Sequence, residues 1–248
     1  MAETNYSNVL PNPSNPIAYD GGSNSENAGY TGAAGYASVK VDASFKTMSD
    51  QTNSGILVSR SKAAQSWSVS INYNPLTREE FSPIYSFLLE KQGMLKPFFV
   101  PLPQYDNPQD STLAAQSPAV AFQTTSLVSA GQTRMTVDAS GYNSSTNGTL
   151  RPGDMFTITD PNNSNHTKAY KITRVETNVD YVDDGSQPTT TAQLRLHFSP
   201  PLQKEVSNNS TINYINPLIK VIMKSDIISY DLKTDNLYSF SLNLQEVQ

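Results

Sequence analysis

Between Ser66 and Tyr73 the chain alternates without a fault: Trp67, Val69, Ile71 and Tyr73 are separated by Ser68, Ser70 and Asn72. A period of two places every large side chain on one face of a strand and every small polar one on the other, so this segment must bury one side and leave the other to water or a partner. The same pattern returns near the C-terminus, where Tyr238, Phe240, Leu242 and Leu244 alternate with Ser239, Ser241 and Asn243. Two half-buried strands so far apart in sequence are expected to share one sheet.

A helix is predicted directly after the first of these strands. Thr77 followed by Glu80 is a capping-box pair, in which hydroxyl and carboxylate satisfy first-turn N–H groups. Pro83 offers a second possibility, since Ser82 as N-cap would put the proline at the first helical position, where its missing donor does no harm. Phe81, Ile84, Tyr85 and Leu88 form a stripe at helical spacing, and Gly93 suits a left-handed closing residue. A further strand is expected over Leu95 to Pro103. Upstream, Val39, Val41, Ala43 and Phe45 alternate with Lys40, Asp42 and Ser44, and the polar stretch Asp50 to Gly55 leads into Ile56 to Arg60, so Val39 to Arg60 reads as a hairpin with a polar tip.

These segments divide the chain into three parts. Residues 1–36 form an arm rich in Asn, Ser, Gly, Pro and Tyr with few aliphatics, either a disordered tail or a segment that orders on a neighbouring subunit through Tyr6, Tyr19, Tyr30 and Tyr36. Residues 37–119 plus 217–248 are expected to form one β domain with a single helix, Pro103 to Ala119 serving as a linker. Residues 120–216 are expected to be an inserted β domain, because short strands at Arg134–Asp138, Met155–Thr159, Ala169–Val175 and Ala192–Phe198 alternate with polar turns in the manner of a small barrel or sandwich.

The fold class is therefore mainly β. Hydrophobic residues make up 37% of the chain and charged residues only 16%, which suits a folded protein whose surface is Ser, Thr, Asn and Gln. The net charge of −5 argues against a surface that tracks phosphates, and there is no basic run. With no cysteine there is neither disulfide nor thiolate chemistry. No signal peptide is seen at the N-terminus, and no apolar run approaches the ~20 residues that span a bilayer.

Candidates for chemistry are few. His166 sits in a polar turn and is expected to be solvated; His197 is expected to point away from Leu194, Leu196 and Phe198. Asp160 to Asn165 begins like a calcium loop, but Asn165 stands where a sharp-turn glycine belongs and Lys171 where a bidentate glutamate belongs, so it reads as a turn. Asp180 to Gly185 gathers three carboxylates able to hold a cation weakly, though a hairpin loop accounts for them better. Arg151-Pro-Gly-Asp154 is a turn signal, and the Asn-x-Ser/Thr triplets at Asn143, Asn147, Asn162 and Asn165 follow from loop composition. No catalytic, cofactor-binding or metal-binding residue is assigned, and the chain is not read as an enzyme. A hydrolase lacks an assembled nucleophile, acid pair or metal cluster.

The serine-rich strand Gln65 to Tyr73, the Asn74-Pro-Leu-Thr-Arg-Glu-Glu-Phe81 turn into a short helix ending in glycine, and the aromatic strand ending in Pro101-Leu-Pro103 together resemble tailed-phage virion proteins of the distal-tail and tail-tube-like superfamily. Leu150 to Ile158, Tyr170 to Val175 and Leu194 to Leu202 are similar to the β-domain that distal tail proteins carry inserted in their core. The resemblance covers roughly Val39 to Val247. It implies a tail-tube-like β-sandwich or split barrel with one flanking helix, interrupted by an inserted domain. It also implies a structural part of the virion tail, assembled in the host cytoplasm as a homohexameric ring. Its partners would be the tail tube protein and baseplate hub or fibre-attachment proteins, with no sequence-specific nucleic-acid contact, no membrane and no cofactor. A carbohydrate- or receptor-binding β module is the alternative.

Overall fold

A computed structural model of the chain describes residues 8–11, 35–61, 65–163 and 166–247. Of the tyrosines proposed as anchors in the arm, Tyr6, Tyr19 and Tyr30 lie outside the described residues. The protein is mainly β, as the alternation predicts. In chain order the elements are β1 (Tyr36–Ser44), β2 (Thr47–Gln51), β3 (Leu57–Ser61), β4 (Ser66–Tyr73), α1 (Arg78–Lys91), β5 (Phe98–Pro101), α2 (Ser111–Ala114), β6 (Gln123–Thr124), β7 (Arg134–Asp138), β8 (Met155–Thr159), β9 (Ala169–Glu176), β10 (Gln193–Ser199), β11 (Thr211–Asn213), β12 (Leu218–Met223), β13 (Asp231–Leu232), β14 (Tyr238–Ser239) and β15 (Ser241–Glu246). The chain divides into two compact units, one made of the described residues up to Ser44, Ser66–Pro101 and those from Lys220 onward, the other of Phe45–Gln65 and Leu102–Ile219.

The first unit is built on a five-stranded sheet in the order β1-β4-β15-β12-β5. Trp67, Val69, Ile71 and Tyr73 are all buried. Antiparallel register places Val41 and Leu244 either side of Val69, and Val39 and Leu242 either side of Ile71, so one face is continuously apolar. This pairing takes Val39 to Ser44 out of the hairpin expected over Val39 to Arg60, while the hairpin itself, with its polar tip, is kept by Thr47–Gln51 pairing with Leu57–Ser61. The valines of β1 gain more by lying beside β4 than by folding back on the polar-tipped segment that follows. On the far edge, Leu10 N–H donates to Phe99 O at 2.7 Å and Phe99 N–H to Asn8 O at 2.8 Å, so a short piece of the N-terminal segment covers β5 and buries Leu10.

Helix α1 starts at Thr77, not at Ser82. The Thr77 N–H donates to Glu80 Oε2 at 2.8 Å, and the Thr77 hydroxyl accepts from the Glu80 N–H, completing the capping box. Pro83 lies inside the helix and costs one backbone hydrogen bond. Burial of Phe81, Ile84 and Leu88 on the same face outweighs it. Gly93, at φ 67°, is left-handed as expected, and Gln92 before it, at φ 54°, shares the closing turn. Gly93 is needed for another reason: a Cβ there would lie 2.5 Å from Asp226 Oδ1 and 2.9 Å from Asp226 Cα, where the Met94 N–H donates to the same carboxylate at 2.9 Å.

The second unit holds a closed barrel in the order β10-β7-β6-β11-β8-β9. Phe122, Phe156, Tyr170, Phe198, Leu194 and Leu196 fill it, with Phe156 and Tyr170 ring centres 5.6 Å apart and Tyr170 and Phe198 5.3 Å apart. The strands expected at Arg134–Asp138 and Met155–Thr159 are found as read. Strands β6 and β11, two and three residues long, carry no periodicity and complete the closure. The expected entry at Val120 moves back towards Leu102, because Leu113 of α2 lies in the barrel core. Asp110 caps that helix, accepting from the Thr112 and Leu113 N–H groups, and also receives the Arg151 guanidinium at 2.9 Å. The stretch expected to be a linker is thus fastened along its middle: the Gln109 N–H, beside Asp110, donates to Asp154 Oδ1 at 3.0 Å.

Candidate functional site

Two exposed features of the second unit stand out against its packed barrel. The first is the ribbon β2–β3, whose register pairs Met48 with Arg60, Ser49 with Ser59 and Asp50 with Val58. Its tip follows from its sequence: Thr52 accepts from Gly55 and donates to Ile56 O, and Gly55 sits at φ 82°. Among the described residues neither strand has a second neighbour. All residues from Asp42 to Arg60 are exposed. Phe45, Met48, Ile56, Leu57 and Val58 each keep more than half their surface in water, up to 69% at Leu57. A two-stranded ribbon that buries nothing of its own gains little from folding. A contiguous run of exposed apolar side chains with open strand edges is the signature of a surface that another protein covers.

The second is the connection between β9 and β10. Residues 179–186 are all exposed, Val179 to 80%. They are held from beneath by a buried charge network. Glu176 and Arg195 are almost wholly enclosed and joined through Arg195 Nε to Glu176 Oε2 at 2.6 Å and through a second, shorter contact from Nη2. Arg195 then donates to Asp184 Oδ1 at 2.7 Å and to Val182 O at 3.0 Å, while Arg134 pairs with the other Asp184 oxygen. Burial pushes the Glu176 carboxyl up, but the Arg195 hydrogen bond, aided by Arg174 and His197, outweighs it and holds the group below the usual carboxylate range. Asp184 is held well below that range by Arg195 first and the Ser186 N–H next. Beside the network a shallow cleft of about 280 Å³ is lined by Ser126, Gln132, Arg134, Met135, Thr136 and Ser186. Its volume is at the small end for a ligand site, and its guanidinium groups are already engaged by Asp184.

The structure redistributes the residues singled out in the sequence. His166 is not solvated: only 6% exposed, it places Nε2 3.0 Å from the Tyr170 hydroxyl, and its Nδ1 finds no hydrogen-bond partner among the described residues. Burial depresses its basicity, with Asp160 opposing and Lys204 adding to the effect. The turn chain folds back because Tyr170 lies on the inward face of β9, drawing His166 with it. His197 does lie on the opposite side of β10 from the core leucines but is half-buried, with Nε2 3.2 Å from Glu176 Oε1. Asp160 begins a turn, accepting from the Asn162 N–H at 2.8 Å and the Ser207 N–H at 2.9 Å. Burial raises its carboxyl and these backbone donors bring it down below the ordinary value. Arg151 to Asp154 is likewise a turn, closed by the Arg151 N–H on Asp154 Oδ2 at 2.8 Å. Asn143 and Asn147 are engaged in one loop, the Asn143 N–H donating to Asn147 Oδ1 at 2.9 Å. Asn162 lies in the Asp160 turn, its Nδ2 donating to the Ser207 hydroxyl at 3.1 Å, and Asn165 lies outside the described residues. Among the described residues no three His, Asp or Glu side chains gather as metal ligands.

The chain matches no protein-family model and no curated protein. The group that sequence reasoning missed is Arg195 with Glu176. The alternation of β10 places Arg195 outward with His197, and the acidic run Asp180 to Asp184 close before it in sequence was the signal that an exposed loop would return to cover it.

Proposed function

We propose that the chain is a structural component of a phage tail, a distal-tail or baseplate ring protein that oligomerises at the end of the tail tube and anchors peripheral tail parts. The observation that carries this reading is the ribbon β2–β3. Among the described residues it offers two open strand edges and, with the flanking Phe45 and Ile56, five large apolar side chains that are all exposed. Such a device stabilises an assembly, not a monomer. The mainly-β architecture with one substantial helix suits the same reading, as does the barrel whose chain lies between two stretches of the five-stranded sheet. The resemblance of the Gln65–Pro103 segment to tail proteins supplies the identity of the assembly. Mass measurement of the purified chain by light scattering and native mass spectrometry tests it. Particles several times the 27.1 kDa of the chain, closed and annular by electron microscopy, are expected. A monomer throughout the micromolar range overturns the ring.

A further inference from the structure

The ribbon and the β9–β10 connection are both exposed and apolar, and they carry opposite charge. On the ribbon, register places Met48 and Arg60 opposite one another, with Asp50 and Val58 as the next pair on the same face. Lys46 precedes that face in the same parity. Neither Lys46 nor Arg60 has an acidic partner among the described residues, so the ribbon presents two cations against the single anion Asp50. The connection presents Val179, Tyr181 and Val182 with Asp180 and Asp183, whose carboxylates are likewise unpaired among the described residues; Asp184 is consumed by Arg134 and Arg195. Its shape is fixed in advance. The Thr177 hydroxyl accepts from the Val179 and Asp180 N–H groups at 3.4 and 3.2 Å, the Thr177 N–H donates to Asp180 O at 3.0 Å, and Arg195 holds Val182 O from below.

A buried guanidinium is a costly way to hold an exposed loop and adds little stability compared with an apolar replacement. What it supplies is a single loop conformation, so a partner need not pay to order the loop on binding. Tyrosine flanked by aliphatic residues is the composition of an interface anchor. Ribbon and loop are different surfaces, so a contact between them joins unlike faces of two copies and, if the rotation closes, generates a ring.

We infer that the Met48–Val58–Arg60 face of the ribbon docks on the Val179–Asp183 loop of a second copy of this chain, Lys46 and Arg60 meeting Asp180 and Asp183. The inference rests on the ring reading above and names its contact. Charge reversal tests it with the full chain. One variant carries Lys46→Glu and Arg60→Glu, a second carries Asp180→Lys and Asp183→Lys, and a third carries all four; every altered side chain is exposed, and circular dichroism confirms the fold. Each two-site variant is expected to raise the concentration at half-assembly by about tenfold or more, equivalent to about 1.4 kcal/mol. The four-site variant is expected to recover assembly, and added salt to weaken the parent contact. If the parent assembles and the two-site variants assemble equally well, the contact is wrong while the ring stands. Dissociation by the ribbon variant alone, without rescue, places the ribbon on another surface of the neighbour and also overturns the inference. A monomeric parent removes the ring reading itself.

Discussion

The barrel and the ribbon β2–β3 are both antiparallel β-structure, and they treat their strand edges in opposite ways. The barrel closes on itself, so each of its six strands has two neighbours and its apolar side chains meet inside. Among the described residues the ribbon has two strands, two open edges and no interior. Closure converts hydrophobic residues into stability; the open ribbon leaves them in water, where the proposed assembly would cover them. Apolar content alone therefore does not tell core from interface. Ile56-Leu57-Val58 is as hydrophobic as any barrel strand, and what separates it from Leu194 to Phe198 is the number of strands that surround it.

The largest effect should come from breaking the barrel's buried pair. Arg195→Ala leaves Glu176 charged and enclosed, and should lower unfolding free energy by about 3–5 kcal/mol in urea titrations. Replacing both partners, with Arg195→Met and Glu176→Leu, should recover most of that loss, since a packed apolar pair avoids the desolvation cost. If the single variant is as stable as the parent, the network carries no weight in the barrel, and its contrast with the ribbon narrows to packing alone.

A smaller effect belongs to His166, which is buried in the barrel where the ribbon has no counterpart. Its folded proton affinity lies below the unfolded one, so between the two the unfolded chain binds more protons. Stability should fall as pH drops below about 6.5, and the loss should level off once pH passes the folded value. Asp110, Asp160 and Glu176 are shifted downward instead, so they hold their contribution above about 4 and lose it only in stronger acid. The window near pH 6 should flatten in His166→Gln, measured as denaturation midpoint against pH. A parent curve already flat there would mean that the imidazole titrates normally.

Much of this architecture could be read from the chain because its strands alternate. Trp67 to Tyr73 lies where period two puts it, Arg134 to Asp138 and Met155 to Thr159 lie between the polar turns that bound them, and the Thr77–Glu80 box marks the helix start despite Pro83. The errors have physical causes. Strands of two or three residues such as β6 and β11 are too short to show a period, so closure of the barrel is a tertiary fact. Val39 to Arg60 has two compatible pairings, and only the competing face of β4 decides between them. His166 reads as polar-loop composition until the inward Tyr170, four residues later, is seen to take it along. The ribbon face was the hardest to read, because an exposed strand and a buried one share the same alphabet.

The smallest expected change in stability is the one that most sharpens the contrast. Met48, on the face proposed to dock, is 58% exposed, so Met48→Ser removes little burial from the isolated chain and should shift its unfolding free energy by no more than about 0.5 kcal/mol. If the proposed ring forms, the same change should reduce the mass of the assembled particle, because a second copy would there cover the side chain. Urea titration of dilute chain and light scattering of concentrated chain read the two effects separately. A loss comparable with that of a barrel residue would show that the ribbon is packed within its own chain. An unchanged particle mass would remove the second copy proposed to cover this face.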